Sequence, residues 1–273
     1  MGFRTKNPRL FSHINDNFYV YIAGWKEISL VDVLESVSFT LWTSYCNFNC
    51  PWCGNYRIAK GIDKRKVSTA EILKALEHNS DFVDYFHVTG GEPTLQSKPL
   101  TYMFKKVKEY TGLKTSLDTN GSNPLILKSM LFYVDHVAID IKAPLNNPLK
   151  YARATGLTLK LAKFFLPRII ESIKIASKAP FVELRTTMVP GIINSRDVID
   201  VVKNLKCIIK KFENRVVFVV QQFIPYETIY VEEFKLKKRV DPEIVKSTAE
   251  EVAELVPFEV YYRTLEDGTG KIS

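Results

Sequence analysis

The chain has 273 residues, of which 46% are hydrophobic and 25% are charged, which is the composition of a folded globular protein. This composition excludes collagen, low-complexity and disordered proteins, and no apolar run approaches the roughly 18 residues of a membrane span. The N-terminal segment lacks a signal-peptide pattern, so we expect a cytoplasmic protein without a membrane partner. The formal net charge of +8 either favours anionic partners or serves only solubility.

Short apolar segments alternate with amphipathic helical segments along the chain. The first predicted strand, residues 36–42, runs into a cysteine-rich loop, and a capping box at 68–71 opens the first helix. Further strands are predicted at 85–89, 114–117, 135–141, 181–189, 215–223 and 258–263. This alternation predicts an α/β fold, an open parallel sheet or barrel with outer helices and functional loops at the strand C-termini. We expect one domain over residues 36–273, after an N-terminal extension of residues 1–35.

Three of the four cysteines lie in one loop, at Cys46, Cys50 and Cys53, with the spacing C-x3-C-x2-C. In a cytosolic protein this spacing favours a metal site over a disulfide framework. Thiolates select zinc or iron–sulfur, but structural zinc needs four protein ligands, and the nearest histidines, His78 and His87, lie in a helix and a strand. A cluster held by three cysteines leaves one iron open to a small molecule.

A C-x3-C-x2-C loop directly after a first β-strand resembles the signature of the radical S-adenosylmethionine (SAM) superfamily. The resemblance implies a partial (β/α)6 radical SAM barrel in which the three cysteines hold a [4Fe-4S] cluster. The open iron would bind SAM and cleave it reductively to a 5′-deoxyadenosyl radical. Trp52, just before the third cysteine, is implied near the adenine. A non-catalytic iron–sulfur or zinc module is the alternative from another class.

The second strand ends at Gly90, Gly91, Glu92 and Pro93, which resembles the GGEP motif of that superfamily. Two glycines let the backbone approach a ligand closely, and carbonyls together with a glutamate can accept hydrogen bonds from an ammonium. The resemblance therefore implies that this segment holds the methionine amino group of SAM. Taken alone, the segment would be interpreted as an ordinary Gly-Gly turn with a solvated glutamate.

The third and fourth strands end at residues 118–121 and 140–142, which resemble the DTNG and DIK segments of enzymes that activate glycyl-radical enzymes. Two carboxylates at neighbouring strand ends need a cation or a raised pKa. The resemblance implies a monovalent-cation site at Asp118, Thr119 and Asp140, beside the SAM carboxylate. It implies further SAM contacts and nearby positive charges from the following residues: Asp118, Asn120, Asp140, Lys142, Arg185 and Pro225.

The lead-in at 23–32 and the loop at 189–194 resemble the activase subgroup associated with anaerobic ribonucleotide reductase, and the likeness covers about residues 22–230. It implies an oxidoreductase (EC 1.97.1.-) that forms a glycyl radical on a partner enzyme, with ferredoxin or flavodoxin as electron donor. Gly54 stands where the family usually has histidine. The alternative is a radical SAM enzyme that modifies RNA, a small molecule or another protein, with nucleic acid not favoured.

Three other features are given mainly structural interpretations. Cys207 is expected on a solvent-facing, lysine-rich side of its helix, as an incidental thiol rather than a reactive one. The basic run 235–239 is expected in a solvated loop rather than at a nucleic-acid interface. Tyr226 is a candidate for the substrate side of the site.

Overall fold

The computed structural model describes Phe11, residues 18–209 and residues 214–273. Within this part of the chain, ten strands form one mixed sheet. The strands are β1 (Tyr19–Ser29), β2 (Ser38–Thr43), β3 (Arg65–Ser68), β4 (Tyr85–Gly90), β5 (Lys114–Thr119), β6 (His136–Asp140), β7 (Phe181–Met188), β8 (Arg215–Gln222), β9 (Glu259–Thr264) and β10 (Gly268–Lys271).

Helices connect the strands. They are α1 (Tyr56–Ala59), α2 (Thr69–Asn79), α3 (Ser97–Tyr110), α4 (Pro124–Met130), α5 (Pro148–Thr155), α6 (Leu159–Ala176), α7 (Ser195–Ile208), α8 (Glu232–Lys235) and α9 (Pro242–Leu255). Capping side chains set several helix starts, since Ser68 accepts a hydrogen bond from the Glu71 amide and Asp241 accepts one from the Glu243 amide.

The sheet runs in the order β10-β9-β8-β7-β6-β5-β4-β2-β1-β3. Its seven central strands, β2 and β4 to β9, are all parallel, whereas β1, β3 and β10 pair antiparallel at the two ends. The predicted α/β class and open parallel sheet are confirmed. The seven predicted strands are also confirmed, each within two residues at either end.

Alternate residues of the parallel strands face two different environments. Side chains such as Val88, Leu117 and Leu184 pack with the apolar stripes of the helices in one large core. The opposite face, here called the inner face, carries polar side chains and a small apolar cluster to which no described helix residue contributes. The site described below lies where this inner face meets the C-terminal ends of the strands.

The sequence did not predict several elements, notably β1, β3 and α5. β1 pairs with β2 through two register shifts, so part of the expected N-terminal extension belongs to the sheet. The domain boundary at residue 36 stays a prediction, and residues 1–10 and 12–17 lie outside the described part of the chain. Among the described helices, none is both long enough and apolar enough to traverse a bilayer.

Candidate active site

The cysteine loop begins two residues after β2 ends and folds back on α1. The Tyr45 amide donates to the Ile58 carbonyl at 3.0 Å, and the Cys46 amide donates to the Ala59 carbonyl at 2.9 Å. Tyr45 adopts a left-handed φ of 76°, which turns the chain from the strand into the loop. The tyrosine ring lies against Gly61, where a Cβ atom would overlap it. The loop entrance is therefore held by backbone pairing with α1.

The far side of the loop rests on the C-terminus of α5. The Asn49 amide donates to the Thr155 carbonyl at 3.0 Å, and the Trp52 indole N–H donates to the Ala154 carbonyl at 2.8 Å. Gly156, at a φ of 66°, ends the helix, and a Cβ atom there would overlap the Asn49 carbonyl oxygen. Helix α5 thus shapes the loop, and it also sets the ring of Trp52, whose predicted place beside adenine stays a prediction.

All three loop cysteines are free, partly buried thiols. Burial raises the pKa of Cys46 to about 11 and that of Cys50 to about 12, while the Lys142 ammonium partly offsets both shifts. Burial also raises the pKa of Cys53. The thiols also raise each other's pKa values, so they lie within electrostatic reach of one another.

These thiols fit a cluster better than a single ion. In the described residues, no three His, Cys, Asp or Glu side chains are gathered closely enough to hold one metal ion. A four-iron cluster takes each cysteine on a different iron, so its ligands need not converge on one point. Because the bare thiols are protonated at neutral pH, loading of the cluster releases protons.

The glycine pair after β4 brings two strand ends into direct contact. The Gly91 amide donates to the Thr43 carbonyl at 2.8 Å, and the Glu92 amide donates to the Tyr45 carbonyl at 2.7 Å. Gly90 has a φ of 116°, and a Cβ atom at either glycine would overlap the backbone of residues 42–45. The close approach that the glycines permit is therefore to the cysteine loop itself.

The Glu92 carboxylate points into the protein, although the sequence suggested that it faces an ammonium. It is fully buried and accepts hydrogen bonds from the Thr119 hydroxyl at 2.8 Å and the Asn120 amide at 2.7 Å. It also accepts from the Thr94 amide at 3.1 Å, just beyond buried Pro93, which starts a 3-10 helix. Burial raises the pKa of Glu92, and these donors partly oppose that shift. Glu92 joins the ends of β4 and β5.

Asn120 connects the end of β5 to the cysteine loop. Its side-chain amide donates to Asn47 Oδ1 at 2.9 Å and contacts Cys46 Sγ at 3.9 Å. Asn47 in turn donates to the Ser122 hydroxyl at 2.8 Å. The DTNG segment is therefore next to the first cysteine.

A guanidinium joins the two carboxylates at the ends of β5 and β6. Arg185 Nη2 lies 2.9 Å from Asp118 Oδ2, and its Nε lies 2.7 Å from Asp140 Oδ1. Lys142 Nζ lies 3.2 Å from Asp140 Oδ2 and 5.2 Å from the Trp52 ring centroid. Burial alone raises the pKa of Asp140, but the two cations outweigh it and hold that pKa well below its usual range.

This arrangement bears on the predicted cation site. Arg185 lies between Asp118 and Asp140, so the protein itself supplies positive charge there. The Thr119 hydroxyl donates to Glu92 instead of facing the two aspartates. A monovalent cation at these residues stays a prediction.

A buried ring of polar side chains continues from Arg185 along the inner face. Ser116 Oγ lies 2.7 Å from His87 Nδ1 and 2.8 Å from His136 Nδ1. His136 Nε2 lies 3.5 Å from Glu183, and His87 Nε2 lies 3.8 Å from Asp118, which closes the ring through Arg185. This ring was not predicted from the sequence, although its residues recur at alternate strand positions.

Burial and charge act in opposite directions within the ring. Burial lowers the pKa of His87, and the Asp118 charge only partly opposes the shift. Burial alone raises the pKa of Glu183, but the neighbouring His136 imidazole and the Arg185 charge bring it down to about 2. Glu183 is therefore a buried anion, and His87 is neutral at pH 7.

The loop after β8 contacts the C-terminal end of the cysteine loop. The Thr228 hydroxyl donates to the Gly54 carbonyl, and the Tyr226 ring packs so closely on Gly54 that a Cβ atom would overlap it. A larger residue at this position, where the resemblance suggests histidine, would displace the exposed Tyr226 ring. Pro225 lies half-buried in this loop, and its predicted contact with adenosine stays a prediction.

The features set aside in the sequence have structural roles. Cys207 is exposed, as predicted. In the run 235–239, Lys237 pairs with Glu233 at 2.8 Å and Arg239 pairs with Glu266 at 2.6 Å. Two of the four basic residues of the run are therefore paired with acids of the same chain.

The match of this sequence to a known protein family indicates which chemistry the site supports. The sequence model of the Radical SAM superfamily matches residues 40–205, more than half of the chain. The chain belongs to the radical SAM superfamily. Membership implies a [4Fe-4S] cluster and SAM, and the three cysteines fit the cluster.

Curated radical SAM relatives include two Methanocaldococcus jannaschii proteins provisionally named glycyl-radical enzyme activating enzymes. One is 29% identical over 78% of this chain and 84% of its own length. The other is 35% identical over 62% of this chain and 63% of its own length. A 7-carboxy-7-deazaguanine synthase of Thermococcus kodakarensis is 28% identical over 49% of this chain and 56% of its own length.

Solved structures share the radical SAM fold. HydG, a maturase of the [FeFe]-hydrogenase, superposes with a TM-score of 0.61 at 13% identity, over 83% of this chain and 50% of that one. Methylornithine synthase superposes with a TM-score of 0.55 at 16% identity, over 80% of this chain and 61% of that one. This chain spans about half the length of HydG, and at these identities the likeness concerns the fold alone.

Proposed function

We propose that this radical SAM protein cleaves SAM reductively and uses the resulting 5′-deoxyadenosyl radical to form a glycyl radical on a partner enzyme. The observation that carries the SAM step is the set of three free thiols in one loop at the C-terminal edge of the parallel sheet. Cys46, Cys50 and Cys53 would hold the cluster, which supplies the electron that cleaves SAM when both are bound.

The remaining site residues are given positioning and binding roles in this proposal. The backbone at Gly90 and Gly91 and the side chain of Asn120 border the loop and would meet the methionine part of SAM. Lys142 keeps positive charge beside the cysteines, and Arg185 keeps it between Asp118 and Asp140, which would favour an anionic cluster and a bound carboxylate. Glu92 would act indirectly, as a positioning residue, because its buried carboxylate fixes the spacing of the β4 and β5 ends.

The glycyl-radical step is supported by the names of the two Methanocaldococcus relatives. The partner we propose is an anaerobic ribonucleotide reductase, with ferredoxin or flavodoxin as the electron source. A macromolecular partner would itself exclude water from the mouth of the sheet.

A small polar substrate is a second candidate, and one observation favours it. Nε2 of His87, Nε2 of His136 and both carboxylate oxygens of Glu183 are buried without a hydrogen-bond partner. Such groups offer donors and acceptors to a polar molecule on the inner face. The Thermococcus relative is named for a small-molecule product, a deazaguanine.

Anaerobic reconstitution tests the SAM step. With dithionite and SAM, the loaded protein is expected to release 5′-deoxyadenosine and methionine, as measured by chromatography. The variant Cys50→Ser is expected to lose the cluster absorbance and the product, whereas Cys207→Ser serves as the matched control and should retain both, because that thiol is exposed and distant in sequence from the loop. Product formation at an equal rate by Cys50→Ser would refute the proposed cluster.

Electron paramagnetic resonance tests the partner. The reduced, SAM-bound protein mixed with an anaerobic ribonucleotide reductase is expected to give the doublet of a glycyl radical. SAM cleavage without that doublet, and with consumption of a small polar substrate, would favour the second candidate.

A further inference from the structure

The segment directly after the cysteine loop is strongly basic. Residues 57–66 carry five basic side chains and one acid, Asp63. The segment is tied to the loop by the backbone hydrogen bonds that Ile58 and Ala59 accept from Tyr45 and Cys46. The basic side chains of this segment therefore border the loop that would hold the proposed cluster.

Three lysines of this segment, here called the basic strip, each lie over a tyrosine ring. Lys66 Nζ is 4.5 Å from the Tyr19 ring centroid, Lys64 Nζ is 5.2 Å from Tyr45 and Lys60 Nζ is 5.9 Å from Tyr56. Arg65 alternates away along β3 and lies 4.5 Å from the Trp25 ring. Cation–π contacts hold these charges in place without neutralising them.

The basic strip has no acidic partner in the described part of the chain. Asp63, the nearest acid in sequence, is held by Arg57, with Nη2 2.7 Å from Oδ1. By contrast, Lys237 and Arg239 of the basic run at 235–239 pair with glutamates of this same chain. An uncompensated, exposed and pre-positioned row of cations favours an anionic partner.

The packing of the tyrosine rings beside the basic strip favours an acidic protein as partner over a single-stranded nucleic acid. Nucleic-acid platforms present free aromatic faces on which bases stack. Here ammonium groups cover one face of Tyr19 and of Tyr45, and Tyr45 also meets Tyr21 edge to face at 5.7 Å. The exposed ring edges of Tyr19 and Tyr21 suit a protein interface, where tyrosine is enriched.

We propose that the basic strip, Lys60, Lys64 and Lys66, is the docking surface of an acidic one-electron carrier protein. This inference rests on the proposed function, because the electron has to reach a cluster in the adjoining loop. The reduced carrier loses one electron and the loaded protein gains it, with no bond formed or broken. Electrostatic docking at this place brings the carrier to the side of the loop opposite α5.

Binding of a probe carrier tests the proposal directly. The probe is a plant-type [2Fe-2S] ferredoxin, and its affinity for the cluster-loaded protein is measured by biolayer interferometry over a range of salt concentrations. Reversal of the strip by Lys60→Glu, Lys64→Glu and Lys66→Glu is expected to weaken binding at least about tenfold and to flatten the salt dependence. The same sites changed to arginine keep their charge and are expected to bind within about twofold of the original protein.

A matched control uses three exposed lysines in the last turns of α4, α6 and α7. Lys128→Glu, Lys174→Glu and Lys206→Glu make the same change in formal charge and are expected to leave ferredoxin binding within about twofold. Equal weakening by both sets would overturn the proposal, since only overall charge would then matter. Circular dichroism and cluster absorbance verify that each variant folds and loads.

Reduction kinetics separate this inference from the proposed function. Reduced methyl viologen is a small cation that needs no acidic docking face, so it is expected to reduce the strip variant at least as fast as the original protein. SAM cleavage driven by dithionite tests the proposed function independently of the strip. Unchanged ferredoxin binding by the strip variant, with loss of binding to a polyuridine oligonucleotide, would overturn the proposal in favour of RNA.

Discussion

The two faces of the parallel sheet contrast sharply in chemistry. On the helix side, Val88, Leu117 and Leu184 are fully buried in one continuous apolar core. On the inner face, their neighbours in sequence are His87, Ser116 and Glu183, which are just as fully buried. Five of the seven buried side-chain nitrogen and oxygen atoms without a partner in the described residues belong to this inner face.

This difference indicates that the helix side of the sheet mainly stabilises the fold, whereas the inner face serves chemistry. Apolar burial on the helix side stabilises the fold by roughly 1.5–3 kcal/mol for each fully buried large side chain. Buried charges on the inner face recover little of their desolvation cost, even when they are paired. A sheet that needed only stability would be apolar on both faces, so we interpret the inner face as the part that serves binding and reaction.

Removal of the central guanidinium should have the largest effect. Arg185→Met leaves the fully buried Glu183 and the partly exposed Asp118 and Asp140 without their shared cation, so the free energy of unfolding should fall by about 3–5 kcal/mol. Urea denaturation measures it, with Arg185→Lys as the variant that keeps the charge. A loss below about 1 kcal/mol for the methionine variant would show that the ring is not a charged unit.

Truncation on the helix side should cost nearly as much stability without touching the site. Leu117→Ala removes a fully buried side chain from the main core and should lower the free energy of unfolding by about 2–5 kcal/mol. Cluster loading at low temperature should remain unchanged, as followed by iron content and absorbance. Loss of cluster loading at a temperature where the variant is folded would contradict the interpretation that the helix side serves stability and the inner face serves chemistry.

The adjacent residue tests the inner face by a smaller step. Ser116→Ala removes the hydroxyl between His87 Nδ1 and His136 Nδ1 and should cost about 1–3 kcal/mol of unfolding free energy. The matched control is Ser129→Ala in exposed α4, which should stay within about 0.5 kcal/mol. Equal small losses for both serines would mean that the ring contributes no more than a surface hydroxyl.

The pH dependence should show the smallest effect. Burial lowers the pKa of His87, so near pH 6 this imidazole binds a proton in the unfolded chain more readily than in the folded chain. His87 is therefore expected to reduce stability as the pH falls below about 6.5, by up to about 1.4 kcal/mol for each pH unit. Urea denaturation between pH 7.5 and 5.5 measures the slope, which His87→Gln should reduce and His78→Gln, at an exposed position, should not.

Local sequence patterns were sufficient to predict the central fold. Apolar alternation located all seven parallel strands, and the position of each motif at a strand end brought the cysteine loop, the GGEP segment and the DTNG segment together. β1 was missed although residues 19–22 alternate, because two register shifts interrupt its pairing with β2. Helix α5 is short, and it positions the cysteine loop through a hydrogen bond with Asn49 that no local sequence pattern indicates.

Side-chain direction was harder to predict than position. Glu92 was placed correctly at the strand end, yet which way its carboxylate points depends on donors from Thr94, Thr119 and Asn120. The inner ring likewise depends on strand register, since Ser116 meets both histidines only when β4, β5 and β6 are aligned as observed. The available signal was a polar residue at alternate positions of each strand.

The glycine pair at the end of β4 has a consequence for the order of events during synthesis. Gly91 and Glu92 hold residues 43 and 45 through backbone hydrogen bonds that require β2 and β4 to be paired in parallel. Since a parallel pair forms only after its crossover helix, a nascent chain that ends before residue 92 carries three cysteines on an unshaped segment. For that interval on the ribosome the thiols are expected to be more open to oxidation and to stray metals than in the folded loop.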